Sequence, residues 1–152
     1  MQGSLDLNHP KQKLLFFVAQ DLDDRVRRLV ADFVVRLATV RHWLIGPPHF
    51  VDIREEPKDT SFGDLPVETL GGLVEIYSAV PPWNLSREID LQHLAEVKHL
   101  VNEVGDFSRQ HSVAFEFELD GTFVGAIEDG EADRSLREGF IGEWERQLAI
   151  TR

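Results

Sequence analysis

Apolar side chains recur along the chain at two spacings, which separate the predicted strands from the predicted helices. The run Leu14–Ala19 is uninterrupted and too short for a core helix, so it predicts a strand that is covered on both faces. From Leu22 to Leu44 the apolar positions repeat every three or four residues, which predicts a helix that ends at Gly46. The first two elements are therefore a strand and an amphipathic helix.

The middle of the chain predicts a second unit of strands and helix. Alternating apolar and polar positions predict strands over 49–56 and 73–80. A helix with one apolar side is expected from about Asp90 to Gln110, and the candidate caps are Asp90 and Ser86.

A β-hairpin is predicted over 113–128, with Asp120-Gly121 at its turn. A two-residue turn would set Glu118 opposite Phe123. A three-residue loop, with Gly121 as a left-handed bulge residue, would set Phe117 opposite Phe123 instead. A shift of one residue moves every side chain to the other face. We expect the Gly121 bulge, because that register separates apolar from acidic side chains.

The C-terminal segment predicts a last helix. Gly139 and Gly142 lie inside it, and each glycine costs about 1 kcal/mol relative to alanine in a helix. The two glycines indicate a break or a close backbone approach. The apolar residues of this helix recur at four-residue spacing: Leu136, Phe140, Trp144 and Leu148.

The predicted order of elements, β-α-β-β-α-β-β-α, indicates the α+β class. We expect a ferredoxin-like βαββαβ core with a mostly antiparallel sheet, extended by a β-hairpin strand and a C-terminal helix. Both core helices would lie on one face of the sheet. The helix-free face then needs a cover, which the C-terminal helix is expected to provide, ahead of a second subunit. A flexible arm over 1–12 would precede a single domain over 13–152.

The composition narrows the functional classes. The chain has 152 residues, no cysteine and a formal net charge of −11. Disulfides, thiol catalysis and cysteine-ligated zinc are thereby excluded. Nucleic-acid binding needs a basic footprint that the sequence lacks, and no apolar run reaches the roughly 18 residues of a membrane helix. We expect a soluble cytoplasmic protein with no cofactor, no nucleic-acid partner and no membrane association.

Acidic side chains are expected to gather on one face of the sheet. Such a face suits a basic protein partner. The alternative is an ordinary solvated sheet face. The favoured register and strand order place five residues on this face, and Asp52 is a further candidate. The five are Glu75, Tyr77, Glu116, Glu118 and Glu128.

Two proline-containing loops, 46–49 and 81–84, are expected at the same end of the sheet. There His49 and Trp83, with Trp43 nearby, would line an aromatic pocket for a ligand or a peptide. The alternative is that the prolines only end the elements and that Trp83 seals the core.

A possible metal site is the face of the second predicted helix that carries His93, Glu96, His99 and Glu103. Its two histidines are six residues apart, whereas the zinc helix motif has them at i and i+4. The same positions also fit the solvated side of the helix. They are weak candidates, and no metal site is predicted.

No nucleophile elbow, phosphate-binding loop or dinucleotide fingerprint is present. The leading hypothesis is a small, soluble, non-enzymatic module that binds a protein partner, with a basic partner favoured. Small acidic inhibitor or immunity-type proteins share this profile. Two alternatives stay open: a homodimeric regulatory domain that binds a small ligand, and a metal-dependent hydrolase that uses His93 and His99 or the acidic end of the sheet.

Overall fold

The computed structural model describes residues 9–56, 66–79 and 85–150, and its mixture of strands and helices confirms the α+β class. None of the described helices is both long and apolar enough to cross a bilayer. In chain order the elements are β1 (Lys11–Val18), α1 (Asp24–Thr39), β2 (His49–Glu55), β3 (Val67–Tyr77), α2 (Arg87–His111), β4 (Phe115–Leu119), β5 (Thr122–Glu128), β6 (Glu131–Ala132), the π-helical segment Ser135–Gly142 and α3 (Glu143–Ile150).

The six strands form one sheet in the order β2-β3-β1-β4-β5-β6, and every neighbouring pair is antiparallel. The buried residues of β1 are Leu14, Phe16 and Val18, which point to the same face of the sheet. The ring of Phe33 from α1 lies 6.4 Å from that of Phe16 and 4.5 Å from that of Phe107 from α2, between centroids. Both helices therefore pack on this face.

Phe16 lies at the centre of the core. Its ring centroid is 6.1 Å from those of Phe115 and Phe117 on the neighbouring strand β4. On the other side it pairs with Gly72 of β3, where an added Cβ would come within 2.5 Å of the Phe16 ring. Since only glycine leaves this space free, Gly72 is a packing residue within β3. The strand begins at Val67, earlier than the predicted start.

Side-chain caps fix the starts of the two long helices. The carboxylate of Asp23 accepts a hydrogen bond from the Val26 N–H at 2.8 Å, and the hydroxyl of Ser86 accepts one from the Ile89 N–H at 3.2 Å. Ser86, one of the two predicted caps of α2, is thereby confirmed. Helix α1 ends at Thr39, before the predicted end.

The predicted Gly121 bulge is wrong, because the β4–β5 hairpin has a two-residue turn. Asp120 and Gly121 both have positive φ, 50° and 85°, as a type I′ turn requires. The Asp120 carboxylate also accepts a hydrogen bond from the Lys13 N–H at 2.8 Å, which ties the turn to β1. In this register Glu118 lies opposite Phe123.

The bulge lies deeper in the hairpin, at Val124. This residue has no cross-strand partner, so Phe117 is set opposite Gly125 and stays in the core. Gly125 has a φ of 154°, and an added Cβ would come within 2.4 Å of the Leu136 Cβ. The bulge restores the apolar register that the turn alone would break. Phe123, which the predicted register placed with Phe117, lies outside the core and is 50% exposed.

The expectation that the C-terminal helix covers the helix-free face is wrong. Leu136 is fully buried in the core on the helix side, over Gly125. Further along, the Trp144 indole N–H donates to the Asp90 carboxylate of α2 at 2.7 Å. The segment therefore packs beside α2. It changes from a π-helix to an α-helix after Gly142, close to the glycines that indicated a break.

Gly72→Ala is expected to lower the free energy of unfolding by about 2 kcal/mol, because the new methyl group overlaps the Phe16 ring in a packed core. Urea denaturation followed by circular dichroism measures this difference. Gly46→Ala is the matched control, since nothing lies within 4 Å of a Cβ at Gly46. Equal stability of the two variants would contradict the close packing of Phe16 on β3.

Candidate functional site

The sheet face opposite the helices is termed the open face. Because side chains alternate along a strand, its residues follow from the cross-strand pairs of β1. The same alternation places Glu75 and Glu128 on this face. Two neighbouring cross-strand rows form its centre: His49–Leu73–Leu15–Glu118–Phe123 and Val51–Gly71–Phe17–Glu116–Ala126.

The open face has an apolar middle that no other described element covers. Leu15 and Phe17 are only half-buried, although β1 is a central strand. Ile53, Val67 and Phe123 are 50%, 64% and 50% exposed. Among the described residues, the expected covering of β1 on both faces is therefore wrong. Apolar side chains that stay exposed on a sheet face are candidates for an interaction site.

Glutamates stand directly beside this apolar surface. Glu116 is paired across the strands with Phe17, and Glu118 with Leu15. Both glutamates are half-buried. Within the described part of the chain, no ion pair includes a glutamate of the open face. Glu116 and Glu118 thus make no ion pair within the described part of the chain, whereas Glu75 has Lys13 as its cross-strand neighbour.

The structure brings most of the predicted binding residues together. Tyr77 ends the same strand as Glu75, and its ring lies 5.8 Å from the Lys11 ammonium. The prediction for Asp52 is wrong, because Asp52 lies on the helix side, where its carboxylate is 3.2 Å from the Arg27 guanidinium of α1. The predicted binding residues on the open face are His49, Glu75, Glu116, Glu118 and Glu128.

The aromatic pocket predicted from the proline loops does not form around Trp43 and His49. Trp43 is buried in the core, and its indole N–H donates to the Leu37 carbonyl at 3.3 Å. His49 is exposed on the open face. Trp83 lies outside the described residues.

His93 and Glu96 form a buried polar pair on α2. His93 is fully buried, and its Nε2 accepts a hydrogen bond from the Tyr77 backbone N–H at 3.1 Å. The proton is therefore on Nδ1, which donates to Glu96 Oε1 at 3.4 Å. The second oxygen of Glu96 accepts from the Leu44 N–H. The pair thus ties α2 to β3 and to the segment that follows α1.

These contacts correct the placement of this helix face on the solvated side. Glu96 is 3% exposed, and His99 packs edge-on against Trp43 with 6.2 Å between ring centroids. Both nitrogens of His93 and both oxygens of Glu96 are already engaged within the chain. Across the described residues, no three His, Cys, Asp or Glu side chains are grouped in a way that would hold a metal ion.

Comparisons with known proteins identify no relative of this chain. No protein-family model matches the chain, and neither the curated proteins nor the solved structures compared with it gave a match. Any function of this protein therefore has to be inferred from its own residues.

Glu96→Ala is expected to lower the free energy of unfolding by about 3 kcal/mol, because it leaves the Leu44 N–H and the His93 ring without their partner in the interior. Glu103→Ala is the control, since Glu103 is half-buried on the same helix and should change stability by less than about 1 kcal/mol. Urea denaturation of both variants measures these differences in stability. Equal losses would mean that Glu96 is not a structural residue.

Proposed function

We propose that this protein is a non-enzymatic binding module whose open face receives a basic protein partner. The observation that carries the proposal is the position of Glu116 and Glu118. Each carboxylate is half-buried beside an apolar side chain, and neither has an ion pair within the described residues. A partner with lysine or arginine next to apolar side chains complements both properties at once.

The two components of the open face contribute differently to binding. Apolar burial around Leu15, Phe17 and Phe123 supplies most of the affinity, since it removes exposed apolar surface from water. The glutamates orient the partner and raise its association rate through long-range attraction. The net charge of −11 acts in the same direction. Binding is therefore expected to weaken as salt screens the charges.

For the fold, we propose a ferredoxin-like βαββαβ core. The order β2-β3-β1-β4 supports it, as do the connections of β1 to β2 through α1 and of β3 to β4 through α2. The strands β5 and β6 and the C-terminal helical segment extend this core. Fold alone does not imply function, so the proposal about binding depends only on the open face.

The charge component is tested with two displayed peptide libraries, one of basic and apolar residues and one of acidic and apolar residues. The basic library is expected to yield binders, and the acidic library none. For the selected peptides, Glu116→Gln with Glu118→Gln should raise the dissociation constant about tenfold at low salt, because two charges of the interface are lost. Isothermal titration calorimetry at low and high salt measures both effects.

The matched control is Asp32→Asn with Glu103→Gln, which removes the same charge from the helix layer. An equal loss of affinity in this control would show that only the total charge matters. Binders from the acidic library with the same affinity would overturn the proposal.

The apolar component is tested by Phe123→Ser. Phe123 is 50% exposed and outside the core, so the variant is expected to keep its stability. The affinity for the selected peptides should fall about tenfold, because a buried aromatic contact contributes on the order of 1 kcal/mol or more. Light scattering is the second measurement. A dimer that Phe123→Ser dissociates would assign the open face to a second copy of the chain and contradict the proposal.

A further inference from the structure

A cavity of about 540 Å³ lies where the end of the sheet, the first turn of α2 and the C-terminal helical segment meet. Ile76 and Leu119 line it from the helix side of the sheet, Tyr77 lines it from the end of β3, and Glu116 and Glu118 of the open face are not part of its lining. Its walls are mainly apolar and include Leu119, Phe140 and Trp144, and the two aromatic rings are 5.8 Å apart between centroids. Ligand sites are commonly of about 300–1,000 Å³ and apolar with a few polar groups. The cavity therefore has the size and lining of a small-molecule site.

The backbone around the cavity departs from regular helix geometry. The π-helical segment contributes Gly139 and Phe140 to the wall, and α3 contributes Trp144. π-Helical turns are rare and occur frequently at functional sites, because they reposition side chains that a regular helix would direct elsewhere. Gly139 is a lining residue at which nothing lies within 4 Å of an added Cβ, so a side chain can be added there without a clash.

Within the described lining, the charged groups are two carboxylates, Asp90 and Glu143. The Trp144 indole N–H holds one oxygen of Asp90 at 2.7 Å, and no other described side chain donates to that carboxylate. Hydrogen bonds from Gln147 and then from Arg146 lower the pKa of Glu143, so that this carboxylate stays ionised at neutral pH. Because Arg146 already offsets the charge of Glu143, Asp90 is the stronger anchor for a cation.

We propose that this cavity binds an organic ammonium compound, with its apolar body against Phe140 and Trp144 and its cationic end at Asp90. Aromatic faces attract cations, and an ionised carboxylate accepts strong hydrogen bonds from an ammonium group. Among the described residues that line the cavity there is no lysine or arginine, so they offer an anionic ligand of the same shape no counter-charge. The lining thus selects for positive charge.

The charge preference is tested with three probes that share one ring system: naphthylethylamine, naphthylethanol and naphthylacetate. Isothermal titration calorimetry is expected to give the tightest binding for the amine. Asp90→Asn keeps an oxygen for the Trp144 indole and should weaken amine binding about tenfold, because a hydrogen bond to a charged group is replaced by a neutral one. Glu88→Gln, on the first turn of the same helix but outside this cavity, is the control. Naphthylacetate binding as tightly as the amine would overturn the proposal.

The location is tested by Gly139→Leu, which adds a side chain at a lining position with no neighbour within 4 Å and improves helix propensity, so the fold is expected to be retained. Amine binding is expected to be lost in this variant. Gly46→Leu makes the same change at another position with nothing within 4 Å and should bind like the wild type. Circular dichroism verifies that both variants are folded. Unchanged binding by Gly139→Leu, or no saturable amine binding at millimolar concentration, would also overturn the proposal.

The open-face variants Glu116→Gln and Glu118→Gln should leave amine binding intact, which keeps the two proposals distinguishable.

Discussion

The close packing of Phe16 on Gly72 sets the arrangement of the other elements. The ring occupies the volume that any side chain at Gly72 would need, while the same ring contacts Phe33, Phe115 and Phe117. Strands β3 and β4 and helix α1 therefore meet at one residue of β1. Once Phe16 points toward the helices, alternation directs Leu15 and Phe17 to the other face. The open face is thus a direct consequence of how the core is packed.

The sequence was informative where the pattern repeats over many residues and failed where one residue changes the geometry. The apolar repeats located both long helices, and Ser86 was among the predicted caps. The hairpin register was wrong because sorting apolar from acidic side chains has two solutions, a bulge at the turn or a bulge at Val124. Pattern alone does not distinguish them. The Asp120-Gly121 pair, which favours a two-residue turn, was the local signal that should have prevailed.

The burial of Glu96 was missed for a different reason. Glutamate is almost never fully buried unless it is paired, so the residue type predicted that Glu96 would be exposed to solvent. Its position nevertheless continues the apolar stripe, since His93, Glu96 and Leu100 follow at helical spacing. Its partner at Leu44 is a backbone N–H far along the chain, which no local pattern identifies. The open face was predicted in part, because its members follow from strand pairing. The cavity at Phe140 was not, because it depends on where the C-terminal segment packs.

Because Val124 is an unpaired bulge residue, β5 can change its length by this one residue without a change in the register of the sheet. Without Val124, Glu118 would still lie opposite Phe123 and Phe117 opposite Gly125, since these pairs already flank the unpaired residue. The partial packing of Val124 against the core would be lost, but no other side chain would change face. Loss or gain of a single residue in a strand normally reverses the faces of everything that follows it. In β5 the sheet can therefore tolerate such a change in length, and related chains that differ by one residue here would keep the same two surfaces.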